Sequence, residues 1–355
     1  MNHQTEDGST EEGPAEARPS EENPPADAPF TAPAAVPASP TPGEVIARVR
    51  TEIEKALVGQ TEAVEQVLLA LLAAGHVLIE GVPGLGKTLL VRALAQSFGG
   101  LHARIQFTPD LMPSDVTGHA IFDAQTRRFE IRRGPVFTNL LLADEINRAP
   151  AKTQAALLEV MQERRVTIEG EAFATDRPFM VLATQNPLDQ DGTYPLPEAE
   201  LDRFLFKILI DYPSAEEELQ MVQLVTGHRL ADQLDVDAVQ SVIDTSGVLA
   251  LQQAAAQVLV DTAIADYAVR IVRATRGFLG LERGAGPRAS IALVRAARPA
   301  ALLAGRDFVT PDDIKRVALP VLRHRVRLAA DLEIEGARTD AVLAQLLADV
   351  EAPRA

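Results

Sequence analysis

One octapeptide constrains the fold of this 355-residue chain more than any other segment. Residues 81–88 are Gly-Val-Pro-Gly-Leu-Gly-Lys-Thr and match the phosphate-loop pattern G-x-x-x-x-G-K-[ST] in full. The short apolar run 76–80 precedes this loop, and apolar residues recur every four positions after it, at Leu90, Leu94 and Phe98. These flanks predict a buried strand before the loop and a helix with one buried face after it. The sequence therefore predicts a site for a nucleoside triphosphate, with ATP as the expected nucleotide.

The residue types of the loop suit the binding of phosphate groups. Glycines allow the backbone N–H groups to surround the β-phosphate, and the N-terminus of the following helix favours negative charge. Lys87 is expected to reach the β- and γ-phosphates, and Thr88 is expected to ligate Mg²⁺. The predicted nucleotide-binding residues are Gly81, Val82, Pro83, Gly84, Leu85, Gly86, Lys87, Thr88 and Leu89, together with Gly59 and Gln60.

An acidic pair follows a second apolar run. Asp144 and Glu145 come directly after residues 140–143, which are Leu-Leu-Leu-Ala. By itself such a pair is more often a solvated strand end, but here it lies in the same predicted sheet as the loop. Phosphoryl transfer needs positioning and charge neutralisation more than covalent chemistry. We therefore predict that Asp144 holds the magnesium ion and that Glu145 activates the attacking water.

Three further side chains are candidates for contact with the reacting phosphate. Asn186 follows the apolar run 179–183, where its amide could hold the attacking water; the alternative is an Asn-Pro turn. Arg203 and Arg288 are candidates to neutralise charge in the transition state. For both arginines, the alternative is an ordinary surface or ion-pair role.

Composition limits the other functional classes. The chain has no cysteine, which excludes disulfides, thiolate metal sites and cysteine nucleophiles and suits a reducing cytoplasm, the expected location. It has no apolar run of membrane-spanning length, so no membrane span is expected. A net charge of -16 and the absence of tryptophan disfavour a nucleic-acid binder, because phosphate affinity comes mostly from Lys and Arg.

Composition and apolar spacing divide the chain into four predicted parts. Residues 1–42 hold nine of the 24 prolines and are predicted to be a disordered acidic tail, either solubilising or a docking arm. Residues 43–212 alternate strand and helix patterns, which predicts an α/β core with a parallel sheet. Residues 213–340 are predicted to form a smaller all-α domain, followed by a C-terminal end over 341–355. Helices are predicted over 44–57, 61–74, 214–228, 235–243, 261–278, 288–304 and 311–319.

Several longer strings, together with the loop, resemble the MoxR-type AAA+ ATPases. Residues 140–149 are Leu-Leu-Leu-Ala-Asp-Glu-Ile-Asn-Arg-Ala, and residues 183–187 are Ala-Thr-Gln-Asn-Pro. Residues 192–204 are Gly-Thr-Tyr-Pro-Leu-Pro-Glu-Ala-Glu-Leu-Asp-Arg-Phe. The resemblance covers about residues 44–330. It implies an α/β P-loop AAA+ core, a helical lid and assembly of identical subunits into a ring, usually a hexamer.

The resemblance also implies roles for single residues. Asn186 matches the sensor-1 position, and Arg203 matches the arginine finger that one subunit donates to its neighbour. Arg288 matches sensor 2 on the lid, although Gly286-Pro287-Arg288 departs from the usual Ser-Pro-Arg. Arg148 is a second candidate for contact across the subunit interface, so the finger assignment stays open.

Two segments resemble insertions of the family. Residues 107–135 resemble the insert in the second helix, and residues 165–178 resemble the hairpin before sensor 1. Both could grip or push a client protein, or they could pack between subunits.

The resemblance implies a function in protein remodelling. By this resemblance the chain is a chaperone-like ATPase that activates or metallates client proteins, often ones with a von Willebrand factor A domain. A slow nucleotide-dependent switch or scaffold is an alternative, and a magnesium-chelatase-like ATPase subunit is a close relative that the long strings disfavour. A nucleic-acid motor has its best support in Arg323, Arg325 and Arg327, but the net charge disfavours it.

Overall fold

The computed structural model describes residues 40–82, 84–186, 192–226 and 236–353. Most of the predicted tail, residue Pro83 of the loop and Pro187 after the sensor-1 candidate lie outside the described residues. The end of the predicted helix over 214–228 also lies outside them.

Short strands and helices alternate in the first part of the chain, and helices dominate the second part. The strands are β1 (Val77–Glu80), β2 (His102–Gln106), β3 (Gly118–Asp123), β4 (Arg128–Arg133), β5 (Leu140–Asp144), β6 (Arg165–Ile168), β7 (Glu171–Ala174), β8 (Met180–Gln185), β9 (Phe206–Leu209), β10 (Leu281–Arg283) and β11 (Arg327–Leu328). The α-helices are α1 (Pro42–Glu54), α2 (Thr61–Leu72), α3 (Lys87–Ser97), α4 (Pro113–Thr117), α5 (Ala151–Glu163), α6 (Glu198–Leu201), α7 (Ala215–Thr226), α8 (Thr245–Gln257), α9 (Thr262–Ala274), α10 (Pro287–Leu303), α11 (Pro311–Leu322), α12 (Ala330–Ile334) and α13 (Thr339–Asp349). In the part of the chain that the structure describes, none of these helices has the length and apolar content to cross a lipid bilayer.

Five strands form one parallel sheet in the order β2-β5-β8-β1-β9. Leu78 of β1 lies opposite Ala183 of β8, and Leu141 of β5 lies opposite Val181 of β8. Because every pairing in this sheet is parallel, the carboxyl ends of all five strands lie along the same edge. The predicted α/β fold with a parallel sheet is confirmed. The segments that follow β1, β5 and β8 are consequently neighbours in space.

Alternate residues of the central strands pack against opposite faces of the sheet. Leu140 and Leu142 belong to one hydrophobic cluster, which includes the buried faces of α2 and α3. Leu141 and Ala143 belong to a second cluster, which includes the buried face of α5. Both faces of the sheet are therefore covered, as expected for parallel strands that are apolar throughout.

The second part of the chain is the predicted smaller helical domain. Helix α10 packs against α8, α9 and α11, and also against α1 and α2. Buried Tyr267, Leu293 and Leu346 belong to the same hydrophobic cluster as α2 and α3. The short antiparallel pair that β10 and β11 form was not predicted. Strands of two or three residues are too short to show an alternating pattern in the sequence.

The predicted boundaries between the parts stay predictions. From Pro40 onward the chain forms one compact unit, in which the sheet and the later helices share a hydrophobic cluster. The predicted boundary between 212 and 213 falls between β9 and α7, whereas α13 continues across the predicted boundary between 340 and 341.

The predicted helix over 235–243 is wrong for its described part, which forms a turn and irregular chain. Two backbone amides in this segment donate to distant parts of the molecule instead of to a helical turn. Val242 N donates to Ser97 O at 2.8 Å, and Gln240 N donates to the Glu52 carboxylate at 3.0 Å. Tertiary hydrogen bonds therefore override the helical apolar spacing here.

Helix α8 begins just after this segment and was not predicted. Its N-cap residue is Asp244, whose carboxylate accepts a hydrogen bond from Gly247 N at 2.7 Å. Aspartate is a favoured N-cap because it satisfies an amide that lacks a partner within the helix. The cap is a local signal that could have found α8. Helix α13 was also not predicted.

The two segments that resemble family insertions each contain an antiparallel hairpin. Strands β3 and β4 pair within residues 107–135, and β6 and β7 pair within residues 165–178. Near the turn of the first hairpin, the exposed rings of Phe122 and Phe129 meet edge to face with centroids 5.3 Å apart. Both interpretations of these segments, client contact and packing between subunits, stay open.

Leu141→Ala is expected to lower the free energy of unfolding by about 2–5 kcal/mol, because truncation leaves a cavity between the sheet and α5. Leu279→Ala is the matched control, since that side chain is 94% exposed; its effect should be below about 0.5 kcal/mol. Urea denaturation followed by circular dichroism measures both. Equal effects of the two substitutions would contradict the buried position of β5.

Candidate functional site

The phosphate loop connects the end of β1 to the start of α3. Gly86 is the N-cap of α3 and has a φ of 74°, a left-handed conformation that glycine adopts at no steric cost. Gly81 is required for a different reason: a Cβ there would lie 2.5 Å from Ile210 O, just past β9. The first N–H groups of α3 have no partner within the helix, so this helix end favours an anion.

Lys87 occupies the first position of α3, and its side chain lies against the loop. Its Nζ donates a hydrogen bond to Gly81 O at 2.5 Å. Burial lowers the pKa of Lys87, and the carboxylates of Asp144, Glu145 and Glu80 oppose that shift. The ammonium group is therefore a half-buried cation beside the acidic pair.

Asp144 is the last residue of β5 and is held from two sides. Its Oδ1 accepts a hydrogen bond from Thr184 Oγ1 at 2.6 Å. Its Oδ2 accepts from Arg104 Nη2 at 2.7 Å and Nε at 3.2 Å. Thr184 also accepts a hydrogen bond from Glu145 N at 2.9 Å. One hydroxyl on β8 thus orients both members of the acidic pair.

Glu145 follows β5 in a strained backbone conformation. Its φ of 54° lies in the left-handed region, which residues other than glycine rarely adopt. Such strain is concentrated at functional sites, where the surrounding structure maintains it. The Glu145 carboxylate lies 3.1 Å from Arg148 Nε of the same chain. Arg148, the second candidate for an interface contact, therefore contacts the acidic pair of its own subunit.

These groups face one cavity of about 450 Å³ at the carboxyl edge of the sheet. The predicted site residues that line it are Gly84, Gly86, Lys87, Thr88, Leu89, Asp144, Glu145 and Asn186. Four lining residues were missed in the sequence, namely Arg92, Arg104, Gln106 and Thr184. The structure therefore brings the loop, the acidic pair and the sensor-1 candidate together, although they are far apart in the chain.

The missed residues had weak local signals. Arg104 and Gln106 are on β2, where Ala103 and Ile105 alternate with polar residues. That alternation is a strand signal of low specificity, and only the strand order places β2 next to β5. Thr184 lies within the buried end of β8, where a hydroxyl needs a hydrogen-bonding partner.

Gln60, which follows Gly59 in the chain, lies beside the loop, and the predicted nucleotide-binding role of both residues stays a prediction. Gln60 Nε2 donates a hydrogen bond to Leu85 O at 2.6 Å. Gly59 has a φ of 76°, and a Cβ there would lie 2.8 Å from the Glu217 side chain on α7. Gln60 also lines a small recess with Met221 of α7, so this end of the loop adjoins apolar surface.

Arg203 and Arg288 do not line the cavity of their own phosphate loop. They line a second cavity of about 390 Å³, together with Arg164, Arg295 and Arg325. Arg288 Nη1 lies 3.9 Å from Asp202 Oδ2, and the Arg288 side chain is 68% exposed. The two arginines are therefore close to each other and belong to a basic surface separate from the loop.

The donor set around the loop suits a magnesium–nucleotide complex. The Thr88 hydroxyl and the Asp144 carboxylate are hard oxygen ligands, and Mg²⁺ is bound through one or two such groups plus substrate phosphates. Asp144 Oδ1 accepts one hydrogen bond and can accept another, so a water around an ion also fits there. Lys87 and the loop amides supply positive charge toward phosphates.

The fold and this site define an AAA+ ATPase. Residues 76–206 match the ATPase family associated with various cellular activities (AAA), and residues 273–346 match the AAA lid domain. A crystal structure of a protein from Cytophaga hutchinsonii superposes with a TM-score of 0.81 at 40% sequence identity, covering 88% of this chain and 96% of that one.

Two curated relatives identify the family more closely. The chain is 46% identical over 312 residues to Chaperone MoxR1 of Mycobacterium tuberculosis, covering 85% of this chain and 81% of the relative. It is 33% identical over 317 residues to Protein MoxR of Methylorubrum extorquens, covering 83% and 91%. The chain belongs to the MoxR family of AAA+ ATPases, which confirms the resemblance found in the sequence.

Thr184→Val is expected to slow ATP hydrolysis about 10- to 100-fold, the effect of losing one hydrogen bond to a charged group. Binding of a fluorescent ATP analogue should stay within about threefold, because Thr184 orients Asp144 and Glu145 but no loop amide. Thr184→Ser keeps the hydroxyl and is the control that should hydrolyse near the wild-type rate. A loss of binding equal to the loss of hydrolysis would contradict this role.

Proposed function

We propose that this chain hydrolyses ATP with Mg²⁺ and uses the cycle to remodel client protein complexes. The observation that carries the proposal is the cavity shared by Lys87, Thr88, Asp144, Glu145 and Asn186. It combines a phosphate-binding loop, a metal-binding oxygen pair, a carboxylate base and an amide at one edge of the sheet. This is the set of groups that phosphoryl transfer to water requires.

The loop binds the triphosphate through charge and backbone amides. Lys87 exchanges its hydrogen bond to Gly81 O for the β- and γ-phosphate oxygens, and the start of α3 faces the phosphates. Thr88 and Asp144 would hold Mg²⁺, which neutralises phosphate charge when it is bound. Gln60 and the apolar recess beside it are positioned for the nucleoside.

Glu145 acts as the general base in this proposal. Its carboxylate accepts the proton of the water that attacks the γ-phosphate, and Asn186 holds that water in line. The strained backbone of Glu145 and the hydrogen bond from its amide to Thr184 orient the carboxylate before the nucleotide binds. Such preorganisation lowers the barrier because little reorientation is needed during the reaction.

Arg203 and Arg288 act on the nucleotide of a neighbouring subunit. Support comes from their position: they lie together on a basic surface and do not line their own loop cavity. In a ring of identical subunits with head-to-tail contacts, such a surface can face the next subunit's site. Arg148 is less suited to this role, since it pairs with Glu145 of its own chain. A homo-oligomeric ring, expected to be a hexamer, follows from this proposal.

Client remodelling is proposed from the family. The relative from Mycobacterium tuberculosis is named a chaperone. The expected client is a protein with a von Willebrand factor A domain, as the resemblance implies. Pull-down with a hydrolysis-deficient subunit would trap the client in the ATP-bound state and identify it.

Glu145→Gln is expected to lower the rate of ATP hydrolysis at least about 100-fold, because removal of a general base typically costs 10²–10⁴-fold. ATP binding should persist, since the loop and Lys87 are intact. Glu159→Gln, on the exposed face of α5, is the matched control and should be unchanged. Steady turnover of Glu145→Gln near the wild-type rate would rule out the base assignment.

Arg203→Ala and Lys87→Ala are each expected to lower the rate of ATP hydrolysis about 10³-fold or more, to a small residual rate, whereas a mixture of the two should regain activity. When equal amounts of the two variants mix randomly in a ring, about one quarter of the interfaces pair an intact loop with an intact Arg203. Phosphate release at a series of mixing ratios measures this. If no ratio restores activity, Arg203 does not act across the interface.

A further inference from the structure

Arg325 donates hydrogen bonds to the backbone on both sides of Arg203, the arginine-finger candidate. It lies in the turn after α11, and only 5% of its side chain is exposed. Its Nη2 lies 2.7 Å from Phe204 O and 3.3 Å from Asp202 O, the carbonyls immediately after and before Arg203. Its Nε donates to Asp202 Oδ1 at 2.7 Å. One guanidinium from the helical domain therefore holds the segment that carries Arg203.

Of the two residues before Arg325, His324 bonds to the same segment and Arg323 bonds to β9, the strand that follows it. His324 Nε2 lies 3.1 Å from Phe204 O, and Arg323 Nη1 donates to Lys207 O at 3.0 Å. Burial lowers the pKa of His324 well below its usual value, so the neutral ring donates through Nε2. We call these three residues, Arg323, His324 and Arg325, the lid clamp.

The finger segment depends on these contacts for its polar groups. Residues 202–205 lie between α6 and β9 and have no regular secondary structure, so their carbonyls need partners from elsewhere. Burial of a guanidinium group destabilises the folded state unless its N–H groups have hydrogen-bond acceptors. Arg325 satisfies that condition by bonding to this segment, including Leu205 O at 3.2 Å. The side chain is therefore suited to hold a backbone in place, which an apolar side chain of similar size cannot do.

Asp202 connects the clamp to Arg288, the second arginine of the basic surface. Its carboxylate accepts from buried Arg325 at 2.7 Å and lies 3.9 Å from exposed Arg288. The Asp202–Arg325 pair thus holds the backbone next to Arg203 and places a carboxylate near Arg288. Both arginines face the same basic cavity.

We propose that Arg325 is a positioning residue that couples the orientation of the helical domain in one subunit to ATP hydrolysis in the next. The inference rests on the proposed function, in which Arg203 completes a neighbour's site. When the helical domain shifts, the clamp carries residues 202–205 with it, and Arg203 approaches or leaves the neighbouring nucleotide. Arg325 itself contacts no nucleotide in this scheme.

The test uses Arg325→Lys, which keeps the positive charge but loses the planar guanidinium group that bonds to several acceptors at once. The expected result is a fall in kcat of at least about tenfold with the KM for ATP changed less than about threefold, as for loss of a transition-state contact. The double variant Arg203→Ala/Arg325→Lys should be no slower than Arg203→Ala, because Arg325 acts through Arg203. Arg327→Lys is the control, since Arg327 is exposed and pairs with Glu282 at the surface.

Subunit mixing separates positioning from simple destabilisation. Arg325→Lys subunits mixed with Lys87→Ala subunits should regain activity as Arg203→Ala subunits do, because their own loops stay intact. Failure of this rescue, with rescue of the Arg203→Ala mixture intact, would overturn the proposal and leave the proposed function standing. If neither the Arg325→Lys mixture nor the Arg203→Ala mixture regains activity, Arg203 does not act across the interface. In that case the proposed coupling through Arg325 is refuted as well.

Hydrogen exchange provides a readout that does not need activity. In Arg325→Lys, the amides of residues 202–207 should exchange at least about tenfold faster, while those of α3 stay unchanged. Unchanged exchange at 202–207 would overturn the clamp whatever the kinetics show. If Arg325→Lys fails to fold, Asp202→Asn tests the same pair from the other side, with the same expected results.

Discussion

Parallel pairing of β1, β8 and β5 is the constraint on which the rest of the site depends. Glu80 lies opposite Gln185, and Ala143 lies opposite Ala183. The strands β1, β5 and β8 therefore end at nearly the same level along the strand direction. The loop, the acidic pair and Asn186 consequently meet in one cavity. A slip of one residue would move the apolar side chains of a strand to its other face, so the packing of both faces maintains this register.

Hydrogen bonds from side chains orient the groups that the sheet brings together. The Thr184 hydroxyl connects two strand ends by donating to Asp144 and accepting from the Glu145 amide. The buried Arg325 has a comparable role between the helical domain and the sheet, through the Asp202 carboxylate and neighbouring carbonyls. In both places a polar side chain sets the orientation of groups that no hydrophobic contact could orient.

Local residue patterns predicted much of the fold and eight of the twelve residues that line the cavity. The loop and the acidic pair were recognisable because each is a contiguous string next to an apolar run. Arg104 was missed because its relevance comes from the position of β2 beside β5. The helix predicted over 235–243 was wrong for its described residues, 236–243, because amides there bond to Ser97 and Glu52, residues that lie far away in the sequence.

The sequence by itself determined the phosphate loop, the buried parallel strands and the membership of the MoxR family, because these depend on residue types at short spacing. Only the tertiary structure decided which polar side chains face the loop, and that Arg203 and Arg288 lie together, apart from it. The physical reason is that strand order and domain packing place side chains from distant positions together, and local periodicity contains no information about that placement. The loop is therefore evident in the sequence, whereas the surroundings of Arg203 follow from the packing of α11 against β9.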